Sequence, residues 1–85
     1  MNKKYTKAFN ALKKLGCPVF VHVDAPDRFD ISAEESNSDE WASYYNGDYR
    51  SGWIFGVNPK VNEILSKHGL FAEWMNPAHL RVCEI

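Results

Sequence analysis

The fold class is decided by residues 58–85, which have the sequence NPKVNEILSKHGLFAEWMNPAHLRVCEI. The opening Asn-Pro is typical of a helix start, because Asn caps the first turn and Pro suits the first helical position. Apolar residues then recur at helical spacing as far as Gly69, a residue type that commonly ends helices. The apolar runs 70–75 and 80–85 follow, separated by a tight Asn-Pro-Ala-His connection that favours a pair of strands. This stretch therefore predicts a helix followed by two strands.

The residues before this stretch predict further strands. Residues 41–45 and 49–57 are joined by an Asn-Gly-Asp sequence that suits a hairpin turn. The first of these also fits a single helical turn, and two glycines weaken the second. Residues 19–23 are predicted as a strand because β-branched side chains dominate them, and residues 28–33 because polar and apolar residues alternate there.

The chain begins with an amphipathic pattern. Over residues 2–15, apolar side chains recur at helical spacing while lysines occupy the other faces, and Gly16 is suited to end the helix. The predicted order is therefore α-β-β-β-β-α-β-β. Each helix needs a surface on which to bury its apolar stripe. We expect an α+β fold in which an antiparallel sheet of about four or five strands carries two helices packed on one face, as a single domain over residues 1–85.

Length and composition exclude several classes of protein. A chain of 85 residues has room for one domain, and a net charge of −1 is not typical of a DNA- or RNA-binding domain. No apolar run approaches the roughly 18 residues of a membrane span, and lysines interrupt the N-terminal stretch where a signal peptide would lie. Two cysteines are too few for a disulfide scaffold. We therefore expect a cytoplasmic protein with reduced thiols, without membrane association or direct nucleic-acid binding.

The most distinctive part of the sequence is residues 24–53, here called the acidic-aromatic segment, which combines eight acidic residues with two tryptophans and three tyrosines. Aromatic side chains anchor protein interfaces, and acids steer basic partners toward them. The segment favours a non-catalytic protein-binding module, in its sharpest form an inhibitor or nucleic-acid mimic of phage or mobile-element type. The alternative is that the aromatics fill the core and the acids form a solvated loop. The candidate partner-binding residues are Asp39, Glu40, Trp41, Tyr44, Tyr45 and Tyr49.

A second hypothesis rests on His22 and Asp24. They lie two residues apart on a predicted strand, so their side chains are expected on the same face. A carboxylate beside an imidazole can orient a base, and the pair could line a pocket of a small enzyme or a ligand-binding protein. The plain alternative is an exposed pair with no chemical role.

A third hypothesis is a structural subunit of a homo-oligomer. The last predicted strand runs to Ile85 with nothing after it to cover it. If that strand lies at the edge of the sheet, its unpaired backbone groups could pair with a second copy of the chain. A homodimer is the simplest product.

Motifs for metals, cofactors and covalent catalysis are lacking. The sequence has neither a nucleophile elbow nor a glycine-rich phosphate loop. Cys17 and His22, and His79 and Cys83, have a tolerable spacing for zinc, but the two cysteines lie in different predicted elements and neither has a partner cysteine nearby. We therefore assign no catalytic residues, expect no metal and no cofactor, and favour binding over catalysis. The zinc-binding types considered are Cys17, His22, His68, His79 and Cys83.

Overall fold

The computed structural model of the chain describes residues 1–34, 40–44 and 52–85. Two helices and a four-stranded antiparallel sheet follow each other in the order α-β-β-α-β-β, so the expected α+β class is confirmed. Within the sheet the strands lie in the order β1-β2-β4-β3. The elements are α1 (Lys3–Leu15), β1 (Val19–His22), β2 (Ala25–Ser32), α2 (Pro59–Lys67), β3 (Leu70–Asn76) and β4 (His79–Glu84).

The end of α1 and the start of α2 lie where the local sequence predicts, whereas α1 begins one residue later than predicted and the C-cap of α2 is His68 instead of Gly69. The side chain of Asn2 accepts a hydrogen bond from the Tyr5 amide at 3.0 Å, and Gly16 ends α1 with a left-handed φ of 93°. At the start of α2, the Asn58 side chain accepts from the Lys60 amide at 2.8 Å. These caps satisfy backbone groups that a helix end leaves without intrahelical partners.

The core lies between the two helices and one face of the sheet. Strand pairing places Ile31 opposite Leu80, and Leu80 opposite Trp74, so these three side chains share that face. Phe29 is fully buried on it, and its ring meets those of Tyr5 and Phe9 edge to face at 6.2 and 5.3 Å. The buried hydrophobic residues are Tyr5, Ala8, Leu12, Cys17, Phe29, Ile31, Ala42, Val57, Val61, Leu65, Leu70, Leu80 and Val82.

The strands predicted at 41–45 and 49–57 do not appear as ladders in their described parts. Ala42 and Ile54 each form an isolated bridge to Val57. The reason is backbone conformation, because Gly52, Phe55 and Gly56 all have positive φ angles, which turn the chain back on itself. The predicted Asn-Gly-Asp turn lies outside the described residues.

Two further expectations about the strands are wrong. β1 ends at His22, and Asp24 lies in the turn of the β1–β2 hairpin, so these residues are not neighbours on one face of a strand. The C-terminal strand is not an edge, because β4 pairs with β2 on one side and with β3 on the other. Among the strands that the structure describes, the edges of the sheet are β1 and β3.

Burial of Cys17 predicts a pH dependence of stability. Burial raises the pKa of this thiol from 9.0 to about 12. Above pH 9 the unfolded chain releases a proton that the folded chain keeps, so the free energy of unfolding falls as the pH rises toward 12. We expect Cys17→Ala to remove a slope of up to about 1.4 kcal/mol per pH unit, measured by urea unfolding above pH 9. Parallel slopes for the wild type and this variant would contradict the assignment, and Cys83→Ala is the comparison.

Candidate functional site

The acidic-aromatic segment is divided by the structure. Asp39, Tyr45 and Tyr49 lie outside the described residues. Trp41 is half-buried and packs against the hydrophobic core, which agrees with the core-filling alternative for that residue. Tyr44 is 50% exposed, and its ring meets Trp74 edge to face at 5.3 Å.

Glu40 is exposed, whereas its backbone carbonyl is tied to the start of α2. That carbonyl accepts a hydrogen bond from the Asn58 side-chain amide at 2.7 Å, and the Asn58 backbone amide donates to the Trp41 carbonyl at 2.9 Å. Of the predicted partner-binding residues that are described, Glu40 and Tyr44 thus offer side chains to solvent, and Trp41 is turned toward the core.

An apolar groove of about 520 Å³, here called the edge groove, lies beside β3. Five consecutive residues of that strand, 70–74, line it. Successive side chains of a strand point to opposite faces, so a groove touched by all five follows the backbone edge and not one face. The remaining lining residues are Ile54, Phe55, Val57, Asn62, Ser66 and Ile85, from the segment before α2, from α2 itself and from the C-terminus.

Segment 52–57 forms one wall of the edge groove, and two of its backbone carbonyls accept hydrogen bonds that hold it in place. The Trp74 indole N–H donates to the Phe55 carbonyl at 2.6 Å, and the Ser43 amide donates to the Gly56 carbonyl at 2.8 Å. Phe55 has a φ of 52° and is 81% exposed. Left-handed backbone is costly for a residue with a bulky side chain, and this one gains little burial in return. The fold therefore holds an apolar side chain out toward solvent.

A second, polar pocket of about 340 Å³ lies on the sheet face turned away from the helices. His22 and Asp24 line it, although they come from a strand end and a turn. The alternation in residues 28–33 predicts that Arg28 and Asp30 share a face, but it does not tell which strand lies next to them. The pairing of Asp30 with Arg81 brings β4 to the pocket. The other lining residues are Ala25, Met75, Asn76 and His79.

Hydrogen bonds fix the imidazole of His79 at the pocket. The Asn76 side-chain oxygen accepts from the backbone amides of Ala78 and His79, at 2.8 and 3.0 Å. The Asn76 amide nitrogen therefore faces His79 Nδ1, at 3.1 Å, and donates to it. Nδ1 is then an acceptor, the ring proton is on Nε2, and Nε2 meets the Asp30 carboxylate at 3.4 Å. Because both ring nitrogens are engaged, His79 is a positioning residue and does not suit the role of a general base.

Neither cysteine is poised as a nucleophile. Burial raises the pKa of Cys17 to about 12. Burial also raises the pKa of Cys83, with Glu73 acting in the same direction. A protonated thiol is a weak nucleophile and a poor metal ligand.

Within the described residues, no three His, Cys, Asp or Glu side chains come together as a metal site. No helix there has the length and apolar character needed to cross a membrane.

No known protein family, curated protein or solved structure matches this chain significantly. The edge groove and the polar pocket are therefore the features of the molecule that bear on its function.

The position of Gly56 in the groove wall leads to a stability prediction. A Cβ at Gly56 would collide with the Ser43 carbonyl oxygen, whereas a Cβ at Gly16 would meet no atom within 4 Å. Both glycines have positive φ, so alanine strains the backbone at either position. We expect Gly16→Ala to cost about 1 kcal/mol and Gly56→Ala about 3 kcal/mol, measured by urea unfolding. Equal losses would show that the contact with Ser43 does not constrain the wall.

The exposed and strained Phe55 leads to a second prediction. Asn tolerates left-handed backbone better than Phe, so Phe55→Asn should raise the free energy of unfolding by up to about 1 kcal/mol. The neighbouring Ile54 has no positive φ and is 59% exposed, so Ile54→Asn is the matched control and should not stabilise. A loss of stability in Phe55→Asn would mean that the Phe55 side chain supports the fold.

Proposed function

We propose that the protein is a non-catalytic binding module that takes up an extended segment of a partner protein as a fifth strand at the free edge of β3. The observation that carries this proposal is the edge groove, which runs along consecutive residues 70–74. In this mode of recognition, backbone hydrogen bonds supply affinity and side-chain pockets supply specificity.

The outer edge of β3 supplies the backbone groups. Among the described residues, β3 forms its ladder with β4 alone, so its outward N–H and C=O groups are open to pairing. The opposite wall is apolar and is built by Ile54, Phe55 and Val57. An added strand would bury its apolar side chains against this wall while its backbone pairs with β3.

The charge at the centre of the strand favours a basic partner over a second copy of the chain. Glu73 is the middle residue of Leu70–Asn76, and it is the one charged side chain among the described residues that line the groove. Two copies of β3 paired antiparallel about their centres would bring one Glu73 opposite the other, and like charges directly opposite destabilise a sheet. An apolar segment with a lysine or arginine at its centre has the complementary pattern. The acidic residues of the acidic-aromatic segment would attract such a segment at longer range.

Charge reversal at Glu73 tests the proposal. The probe is a short end-blocked peptide of alternating valine and threonine with a central lysine, and its counterpart carries a central glutamate. Wild type should prefer the lysine peptide by about twofold to fivefold, and Glu73→Lys should reverse the preference. Glu63→Lys is the matched control, because Glu63 is exposed on α2 and outside the groove. Affinity is measured by NMR titration of the amides of residues 70–76.

Backbone methylation of the peptide separates strand addition from general apolar adhesion. Two further versions of the lysine peptide are made. In one, the amides along one edge of the extended peptide are N-methylated, and in the other, the amides along the opposite edge are N-methylated. An added strand pairs with β3 through one edge, so one methylated peptide should bind and the other should not. Equal binding of both, or no shift in residues 70–76 with any peptide, would overturn the proposal. Self-association of the protein that increases in Glu73→Gln, which removes the like-charge repulsion, would instead assign the edge to a second copy.

A further inference from the structure

The polar pocket is lined by two arginines, Arg28 and Arg81, that each bury a hydrogen-bond donor without an acceptor. The Nε atoms of Arg28 and Arg81 are closed off from solvent and have no hydrogen-bond partner. No described carboxylate lies within 4.0 Å of either guanidinium group. A buried donor without an acceptor typically costs about 1–3 kcal/mol, and the fold carries two of them at one pocket.

Other groups at the pocket do not supply the missing acceptor. Asp30, whose side chain is 5% exposed, is bonded to His79, and Asp24 is exposed at the hairpin turn. Glu73 is the strand partner of Arg81, yet the two do not form an ion pair. His79 contacts Asn76 and Asp30 and forms a side wall of the pocket.

We propose that this pocket binds a small molecule through an oxyanion, a carboxylate or a phosphate, held between Arg28 and Arg81. A guanidinium group matches either oxyanion in a bidentate arrangement, with Nε and a terminal nitrogen donating in parallel. Each guanidinium group turns from its enclosed position as the ligand enters, which gives the Nε–H its acceptor. The site is separate from the edge groove, so this proposal does not depend on the proposal of strand addition.

The size and walls of the pocket limit the ligand. A volume of about 340 Å³ is at the lower end of the range for small-molecule sites. The ring of Phe20 lies 6.2 Å from the rings of both His22 and His79, which adds an aromatic surface beside the polar groups. Met75 lines another side. The ligand therefore has a compact body, partly apolar, that carries the oxyanion at one end.

The test titrates inorganic phosphate and succinate into the protein at constant ionic strength set with chloride. Saturable NMR shifts of the amides of residues 28–32 and 79–82 are expected with one or both probes, together with a rise in Tm. Phosphate alone would assign a phosphorylated ligand, and succinate alone a carboxylic acid. The control is a titration with chloride alone. Equal shifts of the same amides in that control would show a general effect of ionic strength and would overturn the proposal.

Variants identify the arginines as the ligand-binding groups. Arg81→Gln and Arg28→Gln should each weaken binding at least about tenfold, because each removes a charge-assisted hydrogen bond. Neither Nε has a partner to lose, and each substitution removes a buried donor without an acceptor, so both variants should fold at least as stably as the wild type in the absence of ligand. Lys7→Gln removes the same charge from the exposed side of α1 and should leave binding unchanged. Unaltered affinity in both arginine variants would overturn the proposal.

Discussion

The pairing of β2 with β4, with Ile31 opposite Leu80 and Asp30 opposite Arg81, determines what each face of the sheet can do. On one face it joins Ile31 and Leu80 beneath the helices, where both are fully buried. On the other face it brings Asp30, His79 and Arg81 to one pocket. A slip of one residue in this register would turn every side chain of a strand to the opposite face, placing charged groups under the helices. The hydrophobic core and the polar pocket are therefore set by one constraint.

The sheet order also leaves its longer edge strand, β3, beside an apolar wall. Free edges promote uncontrolled association, and proteins commonly protect them with charged residues. Glu73 is such a charge at the centre of β3, and in the proposed strand addition the same carboxylate would select a basic partner segment. The Trp74 indole N–H donates a hydrogen bond to the carbonyl of Phe55, whose backbone is strained, and this bond holds the wall beside that edge. Under that proposal, protection from self-pairing and selectivity for a partner have one physical basis.

The sequence predicted the features that depend on neighbouring residues. Gly16 and Asn58 identified the end of α1 and the start of α2, because capping involves residues within one turn. The sequence failed at residues 52–57, where strand propensity predicted a ladder and left-handed backbone at Phe55 and Gly56 produced a turn. Strand propensity describes how well a side chain fits a pleated surface. It contains no information about a backbone conformation that is held by residues distant in the sequence.

The candidate sites were predicted only in part. His22 and Asp24 do share a pocket, but through a hairpin turn and not through strand alternation. The sequence by itself determined the α+β class, the helix bounds, the alternation of Arg28, Asp30 and Ser32 against Phe29 and Ile31, and the acidic character of residues 24–53. Only the tertiary structure decided that β4 lies inside the sheet, that Arg81 joins Arg28 at one pocket, and that β3 pairs on one side alone within the described part of the chain. Periodicity acts between near neighbours, whereas strand order and register depend on packing between segments far apart in the chain.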